Sequence, residues 1–176
     1  MVVADFFKVN LGRLILTQSC IVVDKHVFTS VGGYDEEVTF AEDIDFFIRC
    51  FSMFDLAYYN NECHTQNTTV SDSLTQSSTA NKKYPNLKKY LGTSDTLDAF
   101  INFYLYCFCQ RLKSEKRVNA VRELRTQINL NSLNIAQIIL LYLPHPLYTL
   151  VVQAKSALLK RGYQPTSFCS NLHQSK

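Results

Sequence analysis

Two short stretches of this sequence carry residue types that can do chemistry. Gly32-Gly33-Tyr34-Asp35-Glu36 sets two adjacent glycines beside two acids, and Glu42-Asp43-Ile44-Asp45 follows six residues on. Adjacent glycines let the backbone take positive φ angles and let another group approach closely. The second acid group falls where an apolar helix opens. Carboxylates there are favoured by the helix dipole, by about 0.3–1 kcal/mol each. A carboxylate held at such a place can also accept a proton from a substrate hydroxyl. A sugar or nucleotide site uses both devices together.

The elements that must position these residues follow from periodicity. Leu14 to Val23 is apolar and rich in β-branched side chains, and reads as a buried strand. Asp24 can cap a short helical turn through Phe28 that ends at Gly32-Gly33. A helix is predicted from about Glu42 to Phe54, since Ile44, Phe47, Ile48 and Phe51 recur on one face. Asp45 and Arg49, four apart, are expected on the outer face as a weak pair. Ala57-Tyr58-Tyr59 reads as the next strand. Residues 60–83 are polar and read as a loop, either a lid or a plain linker.

The remainder reads as helical. Leu97, Ile101, Tyr104 and Phe108 space like a core-facing stripe. Helix continues or restarts through Arg111–Ile128. Another begins near Ser132 or Asn134 and runs to the Pro144 region. Pro146 can open the last helix and Gly162 can end it.

Length and composition bound the answer. The chain has 176 residues and 47% hydrophobic residues, enough for a sizeable core. Residues 1–62 carry ten acidic and four basic groups, whereas residues 63–176 carry five acidic and fourteen basic groups. The acidic half suits a metal or proton-accepting site and the basic half an anionic surface; two mutually attracting solvated faces would give the same pattern. Six cysteines include no C-x-x-C pair, which points to a reduced, cytoplasmic protein without a zinc site. The N-terminus has no basic region of the signal-peptide kind. No stretch reaches the roughly eighteen unbroken apolar residues of a membrane-crossing helix.

The stretch Thr17–Tyr59 resembles the second half of the catalytic domain of family 2 glycosyltransferases, inverting enzymes of the GT-A fold. The resemblance rests on Ser19-Cys20-Ile21-Val22-Val23, Phe28, Val31-Gly32-Gly33-Tyr34-Asp35-Glu36, and Phe40-Ala41-Glu42-Asp43-Ile44-Asp45-Phe46-Phe47-Ile48-Arg49. In that family a strand leads to a G-G-[FY]-D-E turn and then to an E-D pair opening a helix that carries an Arg. The resemblance implies an α/β fold: a partial GT-A, Rossmann-like sheet fragment over residues 1–75, followed by a mainly α-helical region over 76–176. It implies that Asp43 is the base that takes the acceptor hydroxyl proton. Gly32, Gly33, Asp35, Glu42 and Arg49 would then shape the acceptor side. His64 is a loose match to a position that reaches the metal-diphosphate, and a solvent-exposed loop His is the simpler reading. The donor would be a nucleoside-diphosphate sugar, the acceptor a saccharide or a lipid-linked saccharide, and the setting cell-surface polysaccharide synthesis.

One departure matters. Enzymes of this class hold a divalent cation, Mg or Mn, through a D-x-D motif in an N-terminal nucleotide-binding half. No D-x-D precedes Gly32 in this sequence, and Asp43-Ile44-Asp45 has the letters in the acceptor-base position. The chain is therefore expected to act as the C-terminal part of such an enzyme, to bind no cation itself and to be inactive alone.

The helical region also invites a membrane reading. Ile135, Ile138, Ile139, Leu140, Leu141, Leu143, Leu147, Leu150, Val151 and Val152 are apolar, Tyr142 and Tyr148 would suit an interface, Lys155, Lys160 and Arg161 follow, and Arg111, Lys113, Lys116, Arg117, Arg122 and Arg125 add positive charge. Such helices can lie peripherally on the inner face of an anionic membrane, or can pack on a missing partner half or each other. The rival class is a non-catalytic interaction or membrane-peripheral scaffold protein, with possible self-association. Nucleic acid is not an expected partner, for no aromatic-and-basic platform occurs.

Overall fold

A computed structural model describes residues 1–11, 18–59 and 81–161. The chain divides into two compact units, and the division falls within one long helix. The first unit holds residues 1–10 and the described residues from 18 to 97. The second holds Leu11 and residues 98–161.

The first unit is built around one buried helix. Strand β1 (Val2–Val3) pairs antiparallel with β2 (Leu56–Ala57), Val2 opposite Ala57. Asp5 caps helix α1 (Phe6–Val9) by accepting from the Lys8 N–H at 2.9 Å. Helix α2 (Lys25–Ser30) is capped by Asp24, which accepts from the His26 N–H at 2.7 Å. Helix α3 (Glu42–Phe51) is the core element: Phe46, Phe47 and Ile48 are fully buried. Phe6 stacks on Phe51 at 3.9 Å between ring centroids, which ties α1 to α3. On another side, Phe28 and Tyr34 close on Phe46 at 5.6 and 4.5 Å. Aromatic pairs of this kind add about 0.5–1.5 kcal/mol each beyond area burial.

The regular elements of the second unit are all helices among its described residues. The long helix α4 (Asp95–Ser114) buries Phe100, Ile101, Leu105, Phe108 and Leu112 in this unit. Lys116 takes a left-handed φ of 60°, which breaks the path before α5 (Val118–Arg125). Helix α6 (Ile135–Tyr142) opens with a full capping box between Asn134 and Gln137. Helix α7 (His145–Lys160) follows Pro144 directly, with Pro146 in its first turn, where a missing N–H costs nothing. Lys113 donates to the Leu140 and Leu141 carbonyls at 2.6 and 3.2 Å, closing the free C-terminal end of α6.

The helical C-terminal region expected from the sequence is present, and the α3 helix begins at Glu42 as expected. Three local expectations are corrected. The strand over Leu14–Val23 does not form where it is described: Gln18–Cys20 makes an exposed 3-10 turn, and residues 21–23 have no ladder partner. Positions 14–17 lie outside the described residues. Strand propensity decides little without a neighbour to pair with. Helix α3 stops at Phe51 rather than Phe54, and the second strand starts at Leu56. Among the described residues the β1–β2 pair is the one sheet.

Candidate functional site

The glycine turn has the geometry its residues allow. Gly32 and Gly33 hold φ angles of +82° and +68°, a region that L side chains rarely adopt. A Cβ on Gly33 would meet the Phe28 ring at 3.2 Å, whereas one on Gly32 would meet nothing within 4 Å. Gly33→Ala is therefore expected to lower the unfolding free energy by about 2 kcal/mol, and Gly32→Ala by about 1 kcal/mol, backbone strain alone. Urea titration of the two variants checks the order; equal losses would contradict the contact with Phe28. Asp35 caps the following bend, its side chain accepting from the Glu37 N–H at 3.0 Å. That is a structural role for a residue expected on the acceptor side.

The turn is fastened to α3 through Arg49. Its guanidinium donates to the Val31 carbonyl, one residue before the glycines, and to Asp45 at 2.9 Å. The third guanidinium nitrogen of Arg49, Nη2, is buried without a hydrogen-bond partner among the described residues. Arg49 thus holds the turn, rather than reaching outward.

Asp45 is the point at which the expected outer-face pair is overturned. Its side chain is 1% exposed and gathers Arg49, Lys89 at 3.0 Å and the Tyr90 hydroxyl at 2.8 Å. Lys89 and Tyr90 come from a 3-10 turn, Leu87–Tyr90, that covers this side of α3. Burial works against the Asp45 charge, but hydrogen bonds from Tyr90, Lys89 and Arg49 outweigh it and hold the carboxyl below the usual aspartate range. The same segment is stitched on upstream, where the Thr39 N–H donates to the Lys83 carbonyl at 3.0 Å and the Lys83 N–H to the Thr39 hydroxyl at 3.0 Å.

Asp43 stands two residues away and differs in every respect. It is half-buried, and among the described residues it has no ion-pair partner. Burial pushes its carboxyl above the usual aspartate value, and the charge of adjacent Glu42 pushes it further. The backbone N–H groups of Ile44 and of Asp43 itself offset only part of this. The helix opens at Ala41 in a left-handed conformation (φ 60°), and Ala41 supplies no side-chain cap to the first-turn N–H groups. Asp43 lies one turn above Phe46 on the same helix face, and Phe46 carries the Tyr34 ring that follows Gly33. Asp45, by contrast, faces the covering segment, and its partner Arg49 reaches the Val31 carbonyl at the glycine turn.

No family model, curated protein or solved structure matches this chain.

The remaining candidates separate from this group. His64 lies outside the described residues. Among the described residues no group of three or more His, Cys, Asp or Glu gathers that could hold a metal ion. Burial pushes the thiols of Cys107 and Cys109 up to about 12, which makes thiolate chemistry there unfavourable. Sequence reasoning missed Lys89 and Tyr90, which lie more than forty residues from Asp45 and carry no local signal of the contact.

Proposed function

We propose that the chain supplies the acceptor-activating part of an inverting glycosyltransferase of family 2, with Asp43 as the general base. A partial GT-A site implies a donor of the nucleoside-diphosphate sugar class and a saccharide or lipid-linked acceptor. One observation carries the reading: two acids at the mouth of one helix are driven in opposite directions. Asp45 is paired three ways and held as an anion, whereas Asp43 has no ion-pair partner among the described residues and a raised pKa. Neighbouring titratable groups whose environments push them apart are the pattern expected of an assigned acid or base.

In this reading an acceptor hydroxyl hydrogen-bonds to the Asp43 carboxylate. As the hydroxyl oxygen attacks the anomeric carbon, its proton passes to Asp43 and the glycosidic bond forms while the bond to the departing diphosphate breaks. Burial first, and the Glu42 charge second, raise the Asp43 pKa and so favour proton uptake there. The glycine turn offers backbone without side chains at the approach. The family's divalent cation would neutralise the departing diphosphate. The described residues gather no cluster to hold it, and no step above is routed through it.

The reading is tested by reconstitution. The chain is combined with a nucleotide-binding half that bears D-x-D, and transfer from UDP- and GDP-sugars to saccharide acceptors is measured. Transfer that needs both parts and is lost in Asp43→Asn supports the proposal. Transfer by the 176-residue chain alone, or transfer untouched by Asp43→Asn, contradicts it.

A further inference from the structure

The second unit carries a cationic pocket that the acceptor chemistry does not use. A cavity of about 230 Å³ opens between α5, the end of α4 and the α6–α7 junction. Lys113, Lys116, Arg122, Arg125 and His145 line it, and no acidic residue does. Lys116, Arg122 and Arg125 have no carboxylate partner among the described residues. Lys113 is buried with its Nζ on the α6 carbonyls, and burial together with the Arg125 charge lowers its pKa. Arg125 lies over the Tyr142 ring at 4.5 Å. Four such cations around one concavity repel one another, and an anion placed among them relieves that repulsion.

The pocket is continuous with exposed apolar surface. Tyr142 lines it and also ends a stripe on α6, in which Ile135 is 78%, Ile139 56% and Tyr142 50% exposed. Helix α7 adds Leu147, Leu150 and Val151, all exposed. A basic pocket beside an exposed apolar stripe with Tyr at the junction is the arrangement of interfacial helices, which place Lys and Arg at headgroup level and apolar side chains below it. Helix α6 has eight residues, far short of the ~20 needed to cross a bilayer.

We propose that the second unit docks on membranes containing anionic phospholipid, seating one lipid phosphate in the pocket formed by Lys116, Arg122 and Arg125 while Ile135 and Ile139 enter the acyl boundary. The inference is independent of the glycosyl-transfer reading, since it draws on no residue of the first unit.

The test is flotation of the full chain with phosphatidylcholine vesicles, with and without phosphatidylglycerol. Binding is expected to the anionic vesicles only, and an equal concentration of inorganic phosphate is expected to leave it in place. Lys116 and Arg122 are both exposed, so Lys116→Gln with Arg122→Gln leaves folding intact, checked by circular dichroism. Each cation near such a surface contributes about a fivefold factor, so the pair should weaken binding roughly twenty-five-fold. Ile139→Asn should weaken it as well. The matched control, Lys25→Gln with Lys88→Gln, removes two exposed charges from the first unit and should leave binding unchanged. Binding to neither vesicle, equal binding to both, release by inorganic phosphate, or equal loss in the control would overturn the proposal. So would an Ile139-dependent dimer that binds no vesicles, which would give the stripe to a second copy.

Discussion

Asp45→Ala is expected to lower the unfolding free energy of the first unit by about 3 kcal/mol, the largest stability effect of any single charge among the described residues. Removing one member of a buried ion group leaves its partners uncompensated, and the usual cost is about 3–5 kcal/mol. The lower end applies because Lys89 is 44% exposed and can turn to water. Arg49 cannot do so without giving up the Val31 carbonyl, so the loss should spread to the glycine turn. The acid limb follows from the same contacts. Asp45 has a folded pKa below its unfolded value. Its stabilisation is present above the unfolded value and is lost as pH falls through the folded one. The gap between wild type and Asp45→Ala should therefore narrow in acid. Urea midpoints across pH measure it; a gap that persists unchanged into acid would mean that the charge is not what Asp45 contributes.

Asp43→Asn is expected to act in the opposite sense on stability and far more strongly on activity. Its folded pKa lies above the unfolded value, so the protonated form is the one the fold favours. That contribution is present below the unfolded pKa and is lost as pH rises through the folded pKa. Asn imitates the protonated carboxyl, so the variant should unfold at a higher urea concentration than wild type at neutral pH and match it in acid. In the reconstituted enzyme, turnover should fall by about 10²–10⁴-fold, the usual contribution of a positioned base. A variant that gains stability while losing turnover identifies a group held in place for chemistry rather than for packing. Glu42→Gln supplies a second readout: with the neighbouring charge gone, the acid limb of the transfer rate should shift to lower pH while turnover at neutral pH survives. An unchanged acid limb would separate Glu42 from the base.

Much of this was legible in the sequence, and the failures have physical causes. Asp24 before an apolar turn, a helix start near Ser132 or Asn134 and Pro146 at the opening of the last helix are local signals, and local backbone geometry enforces them. The glycine pair was legible because only glycine takes two successive positive φ angles without strain. Periodicity assigned Ile44, Phe47 and Ile48 to a buried face correctly. It placed Asp45 outside because a charge usually marks the solvated side. Here the opposite side is covered by Leu87–Tyr90, a contact set by tertiary structure. The strand over residues 14–23 was read from β-branched composition, and composition cannot supply the neighbour that a strand needs. The cationic pocket was legible only as charge, for its walls come from separate segments between Lys113 and His145.

The split between the two aspartates is the observation on which the proposed chemistry rests, and it can be measured in the intact chain. Carboxyl chemical shifts of Asp43 and Asp45 are followed by NMR through a pH titration, with Asp43→Asn and Asp45→Asn assigning the signals. Asp43 is expected to titrate above the ordinary aspartate value of 3.8 and Asp45 below it. An Asp43 midpoint at or below that value would describe a salt-linked or solvated acid, and would remove the poised base.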